Sequence, residues 1–432
     1  MAGGTGDQGS RTASPTRHRP VDSRVHDVGA VLAGPTAAAA AYVLALSPLV
    51  LTNSLYLSNA LVLAVLLPVA LLRTWVVSGT PEGAAAVRLL PRSMVLGAVL
   101  AYLAALTIAA AMEPDATARI VRRDAQYGLE ILAFVAATAC MAATGTTFLR
   151  VLVLGLAVAV ATSAAVNIAA FLPSFPADVD DLQVWRLTAV LGMPEYTNAT
   201  NVSVTYGIVL VTAVAAATGL ARQWIERAVL STSAAVLGVG VVMTQARGAV
   251  LGVVCGILAL AATLSRRARI LILIGAGISL VVLATTPVGP DWVQRGASHR
   301  PAVWRAYVDK IMEHPLLGHG PHADIRVIIA PDVIIDQPHN LVLSGFVRGG
   351  IGAALAMVAI LVAGLWWGIR LVRAGGTAVP LCAFVTMAVS GMVDYNLLIT
   401  RSAWPWLTFW LPIGLAAGAE IELRARQGAT PD

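Results

Sequence analysis

Residues 298–345 read SHRPAVWRAYVDKIMEHPLLGHGPHADIRVIIAPDVIIDQPHNLVLSG, and the rest of the chain is arranged around them. The stretch is neither apolar enough to cross a bilayer nor biased enough to stay unfolded. It holds His299, His314, His319, His322 and His339 out of seven histidines in all. Ser298 offers an N-cap, and Pro301 is tolerated in a first helical turn. Val303, Trp304, Tyr307, Val308, Ile311 and Met312 recur at helical spacing, which predicts an amphipathic helix over 299–314. Pro315 ends it, and Gly318, Gly320 and Pro321 supply turn chemistry. Such a helix suits the outer surface of a bundle, with its aromatic side chains at the membrane interface.

Outward from this segment the chain is apolar. Hydrophobic residues make up 58% of the 432 positions and charged residues 12%, with a mean hydropathy of +0.78. A water-soluble chain of this size could not bury that much apolar surface, so the bilayer is the expected solvent and the fold class is all-α integral membrane. The net charge of +6 is spread between apolar spans and not gathered on one soluble face, which argues against a nucleic-acid partner. Cys140, Cys255 and Cys382 lie inside apolar runs and read as small buried hydrophobes. Residues 1–28 are rich in Gly, Ser, Thr, Arg and Asp and are expected to form a disordered cytoplasmic tail.

A transmembrane helix needs about 20 apolar residues to cross about 30 Å of hydrocarbon. That length predicts about twelve spans, at 30–50, 57–77, 90–112, 127–144, 148–171, 199–219, 228–245, 247–264, 269–286, 342–369, 377–394 and 403–420. Between spans seven and eight only residues 244–248 interrupt the apolar sequence, as a tight turn or as a kink in one helix. With both termini inside, the larger share of the 29 basic residues falls on the cytoplasmic side, as charge bias requires. The division is then a tail at 1–28, spans one to nine over 29–286, an extracytoplasmic loop at 287–340, spans ten to twelve over 341–420, and a tail at 421–432. Two outer loops are long, one carrying Asp178, Asp180 and Asp181 and the other being the organising stretch. Arg119, Arg122 and Arg123 also fall outside, beside Glu113, Asp115 and Asp124, as a paired, solvated loop or an anion site.

Three polar positions carry candidate chemistry. Arg300 falls in the first turn of the loop helix, where unpaired N–H groups and the helix dipole favour an anion, and a guanidinium grips phosphate bidentately. Arg247 sits between apolar runs at the outer edge of the bilayer, where a charge is costly and normally faces the bundle interior. His339 and Asn340 follow Pro338 at the mouth of span ten, and an imidazole near pKa 6.5 accepts protons near neutral pH. Arg305, His319, His322 and Arg348 are further candidates. The loop histidines show no zinc-ligand spacing.

The sequences Gln245-Ala-Arg-Gly-Ala249, Arg300-Pro-Ala-Val-Trp304, His314-Pro-Leu-Leu-Gly-His-Gly-Pro321 and His339-Asn340 ahead of Gly350-Ile-Gly352 together resemble the bacterial O-antigen ligase and polymerase family over about residues 243–355. The resemblance implies a polytopic GT-C-type glycosyltransferase with its large outer loop late in the chain. It would move a glycan from a polyprenyl diphosphate carrier to a glycan, lipid or protein acceptor on the outer face of the plasma membrane. Arg247 and Arg300 would hold the diphosphate, His339 would activate the acceptor hydroxyl, and Asn340 would orient loop or substrate, with no metal or other cofactor. A polymerase of the same family, or a flippase for lipid-linked sugars, is the alternative. One departure stands out, because Arg348 occupies the region where many relatives carry an acidic residue.

Overall fold

In a bilayer every backbone N–H and C=O must be bonded within the protein, so long apolar runs fold as helices, and they do so here. The structure is a computed structural model that describes residues 34–52, 54–174, 186–191, 198–285, 300–331, 333–394, 399–400 and 403–428. The expected tail at 1–28, the acidic group Asp178, Asp180 and Asp181, and the cap at Ser298 with His299 lie outside the described residues.

The chain runs through α1 (Pro35–Leu51), α2 (Tyr56–Ser78), α3 (Pro81–Leu89), α4 (Met94–Ala111), α5 (Ala118–Ala143), α6 (Thr146–Phe171) and α7 (Ala199–Gly219). It continues through α8 (Trp224–Thr244), α9 (Arg247–Thr263), α10 (Arg266–Thr285) and α11 (Arg300–Glu313) to an antiparallel hairpin of β1 (Val327–Ala330) and β2 (Val333–Ile335). Then come α12 (Leu341–Arg373), α13 (Val379–Asp394) and, after a π-helical turn at Trp406–Trp410, α14 (Leu411–Gly428). Among the described residues, helix falls within each of the expected ranges. Among the described residues, seven helices (α2, α4, α5, α6, α7, α8 and α12) are long and apolar enough to cross a membrane, and α1, α9 and residues Val379–Val393 are apolar but shorter. This architecture fits an integral membrane protein.

Three boundaries differ from expectation. Gln245 takes a left-handed conformation (φ 54°) and closes α8, so spans seven and eight are two helices, not one kinked helix. The helix expected at 127 begins at Ala118 instead, with the Thr117 hydroxyl accepting from the Ile120 N–H. Most consequential is α12, where Gly350 breaks the helix (φ 66°, ψ −165°) inside the range expected to be one span. A Cβ at Gly345 would stand 3.4 Å from the Ala353 carbonyl oxygen, so the short piece 341–349 folds back against the long piece 351–373. The long piece, about 34 Å at 1.5 Å per residue, suffices to cross alone.

Small residues let the helices approach closely, as they do in lipid where burial supplies little drive between helices. A Cβ at Gly252 would stand 2.1 Å from Ser390 Oγ, and one at Gly256 would stand 2.1 Å from Thr386 Oγ1. Four residues forward on α9 correspond to four back on α13. The two helices are therefore antiparallel, and the start of α9 lies beside the end of α13. Aromatic rings fill the centre, with Phe134 against Trp406 at 4.8 Å and Tyr42 edge-on to Phe148 at 5.3 Å.

At the far end of the bundle a fully buried carboxylate, Glu420, caps α4. It accepts from Ser93 Oγ at 2.7 Å, Met94 N–H at 2.9 Å and Val95 N–H at 3.2 Å, and it pairs with Arg424 at 2.8 Å. Negative charge at a helix N-terminus is favourable, and hydrogen bonds to a charged group contribute about 1.5–3 kcal/mol. Glu420→Ala is expected to lower the thermal unfolding midpoint in detergent by a loss of that order, whereas Asp115→Ala, at an exposed position, leaves it unchanged.

Candidate functional site

The loop between α10 and α12 builds its own apolar core. Val303, Tyr307 and Ile311 line the buried side of α11 and pack with Ile325, Val327 and Val347. The aromatic residues expected at the lipid interface instead face the hairpin. Tyr307 is fully buried, its hydroxyl donating to the Ile335 carbonyl at 3.3 Å, and Trp304 Nε1 donates to the Pro338 carbonyl at 3.1 Å. These two bonds clamp the backbone just ahead of His339.

His339 itself sits in left-handed backbone (φ 50°), a conformation that costs an L-residue about 1–2 kcal/mol. It is held there from both sides. Ahead of it is the Trp304 clamp, and behind it Asn340 caps α12, its Oδ1 accepting from the Val342 and Leu343 N–H groups at 3.0 Å each. Asn340 Nδ2 also donates to the Met392 carbonyl at 3.0 Å, tying the cap to the end of α13. The buried Asn340 side chain is thus committed to positioning. Burial, and next the Arg300 guanidinium, hold the His339 imidazole below its ordinary pKa, against an upward pull from Asp336. The ring is neutral at neutral pH, the form that accepts a proton.

Arg300 opens α11 and is electrostatically coupled to His339. Arg247 is the first residue of α9, half-buried, and its helix starts beside the end of α13, to which Asn340 is bonded. The bundle therefore brings Arg247, Arg300, His339 and Asn340 to one end. Arg186, which sequence reasoning passed over, joins them there: its Nε donates to the Thr244 carbonyl at 3.0 Å, and the next residue, Leu187, donates its N–H to Met243.

The other candidates serve the turn 314–322. His319 Nε2 lies 2.9 Å from the Lys310 carbonyl oxygen, with the His314 ring edge-on at 4.6 Å. His322 Nε2 lies 2.6 Å from Asp124 Oδ2, and its N–H donates to Glu113 Oε1 at 2.9 Å. Asp124, on α5, is 1% exposed, so it and Glu113 are not simply solvated; they receive this turn, while Asp115 stays exposed. Arg348 is buried, and its Nη1 donates to the Pro321 carbonyl at 2.5 Å. Arg305 points away, exposed on the outer side of α11.

Residues 232–358 match the family model described as O-antigen ligase. Over 133 residues, 30% of this chain, it is 32% identical to a curated protein of Pseudomonas aeruginosa described as "O-antigen ligase", and that match spans 33% of the relative's length. Both findings support the O-antigen ligase family. The matched region runs from α8 into the long piece of α12 and encloses Arg247, Arg300, His339 and Asn340.

Because Asp124 and His322 are in direct contact, a double-mutant cycle of Asp124→Asn and His322→Gln is expected to give a coupling energy of about 0.5–3 kcal/mol in thermal unfolding. The same cycle between Asp124 and the distant, exposed Arg305 is expected to give none.

Proposed function

We propose that this chain is a membrane glycosyltransferase that moves a glycan from a polyprenyl diphosphate carrier to an acceptor hydroxyl on the outer face of the plasma membrane. The loop 287–340 lies outside, both termini lie inside, and about twelve helices cross. The observation that carries this reading is the convergence of His339, held in left-handed backbone between the Trp304 and Asn340 contacts, with the guanidinium of Arg300 at the end of the bundle where α9 begins at Arg247.

In this reaction His339 takes the proton of the acceptor hydroxyl as general base. The acceptor oxygen attacks the anomeric carbon of the carried sugar, the bond from that carbon to the diphosphate oxygen breaks, and polyprenyl diphosphate leaves. Arg300 and Arg247 stabilise the negative charge that develops on the leaving group, with donors fixed in place before the reaction. Asn340 holds His339 in register without touching the reacting atoms. The acceptor is a glycan, a lipid or a protein, and the chemistry needs no metal.

The test is transfer by purified protein in lipid, with a labelled polyprenyl diphosphate glycan, an envelope extract as acceptor source and EDTA throughout. Wild type is expected to pass the label to a new product, and His339→Ala is not. Equal transfer by both would remove His339 from the site. Transfer that appears only after a divalent metal is restored would overturn the metal-free mechanism. Movement of the labelled lipid between leaflets without transfer would make the protein a flippase.

The pH profile tests the electrostatics separately. A base with a depressed pKa keeps its activity above that pKa and loses it as pH falls through it, so the acid limb of kcat/KM is expected below the ordinary histidine value of 6.5. Arg300→Gln removes a positive neighbour, raises the pKa of His339, and should move the acid limb of the residual activity to higher pH.

A further inference from the structure

The turn after α11 leaves large apolar side chains uncovered. Leu316 is 74% exposed, Met312 68%, Val308 47% and Leu317 44%. Val308 and Met312 follow one another at a four-residue interval on α11, and Leu316 and Leu317 continue the exposed apolar surface in the turn beyond Pro315. Asp309 and Glu313 make a second exposed line about 100° around the helix axis. One flank of α11 is therefore apolar and its neighbour charged, so the helix is amphipathic on its outward side.

Where this flank ends is set by hydrogen bonds. The Ile351 N–H, at the start of the long piece of α12, donates to the Pro315 carbonyl at 3.0 Å. From Ile351 an exposed apolar stripe continues down α12 through Leu355, Val358, Val362 and Trp366. In a membrane-spanning helix such a stripe faces lipid. Leu316 and Leu317 follow Pro315 directly, so they stand at the outer end of a lipid-facing surface and continue it.

We infer that the Leu316-Leu317 tip, with Met312 and Val308, is seated among the acyl chains of the outer leaflet and anchors the catalytic loop to the bilayer. The acidic line of α11 faces water. The contact with lipid rests on geometry, while its assignment to the outer leaflet and its consequence rest on the proposed function: it fixes Arg300, at the other end of α11, at the height where a lipid-linked diphosphate leaves the membrane.

Site-directed spin labelling of the full chain in nanodiscs tests the anchor without reference to activity. Cys140 and Cys382 are buried, and Cys255 is replaced by alanine. Nitroxides at Met312→Cys and Leu316→Cys are expected to collide with oxygen, which concentrates in lipid, and to be shielded from a water-soluble nickel chelate. Labels at Asp309→Cys and Arg326→Cys should show the reverse, giving an oxygen-to-nickel ratio several-fold lower. All four positions are exposed, so labelling leaves the core intact. Nickel accessibility at 312 and 316 equal to that at 326 would overturn the inference.

Discussion

The break at Gly350 leaves backbone groups that no helix can satisfy, and the neighbouring structure depends on how they are met. A helix interrupted near the membrane cannot leave its N–H and C=O groups bare, because each one unsatisfied in an apolar setting costs several kcal/mol. Here the turn 315–320 meets them. The Pro315 carbonyl accepts from Ile351, and the N–H groups of His319 and Gly320 donate to the Val347 and Arg348 carbonyls at 2.8 and 2.9 Å. A short strand-like pairing thus stands in for the missing helical bonds. The requirement explains the composition of the turn, since Gly318 and Gly320 both have positive φ and a Cβ at Gly318 would stand 2.6 Å from the Gly350 nitrogen.

From that pairing the position of His339 follows. Folding the short piece of α12 back over the long piece places its N-terminus, and so Asn340, against the end of α13 instead of far above the bundle. The same turn is held on its other side by Asp124, Glu113 and Arg348, which join it to α5, to the connection between α4 and α5, and to α12. The histidine sits in strained backbone because both of its neighbours are fixed by these contacts, an arrangement typical of groups whose position matters more than their local energy.

Much of this was legible in the sequence, and the failures have physical causes. Hydropathy located the helices because chain length and apolar content are local properties. It missed the break in α12 because residues 342–369 are apolar enough on average to read as one span despite Ser344 and Arg348, and what stabilises the break, Pro315 to Gly320, lies some thirty residues away. Helical spacing found α11, but two apolar lines run along that helix. Periodicity alone could not say that Val303, Tyr307 and Ile311 would turn to the protein while Val308 and Met312 turn outward. Asp124 read as a loop charge because its helix was started too late, although Thr117 had supplied a cap. The pairing of Asp124 with His322, 198 residues apart, had no sequence signal at all.

The electrostatics of the site also bear on the order of events in the proposed reaction. Burial, and next the Arg300 guanidinium, lower the proton affinity of His339, so the base is neutral but weak. A diphosphate bound at Arg300 would offset that positive field and raise the proton affinity of the imidazole. The base would then be strongest when the donor is in place and weaker when it is absent, which favours acceptor activation only in the donor complex. In the proposed reaction Arg300 would then have two effects: it would stabilise the leaving group directly, and through His339 it would couple the readiness of the base to the presence of donor. Arg247, at the start of a different helix, would contribute to the first effect alone.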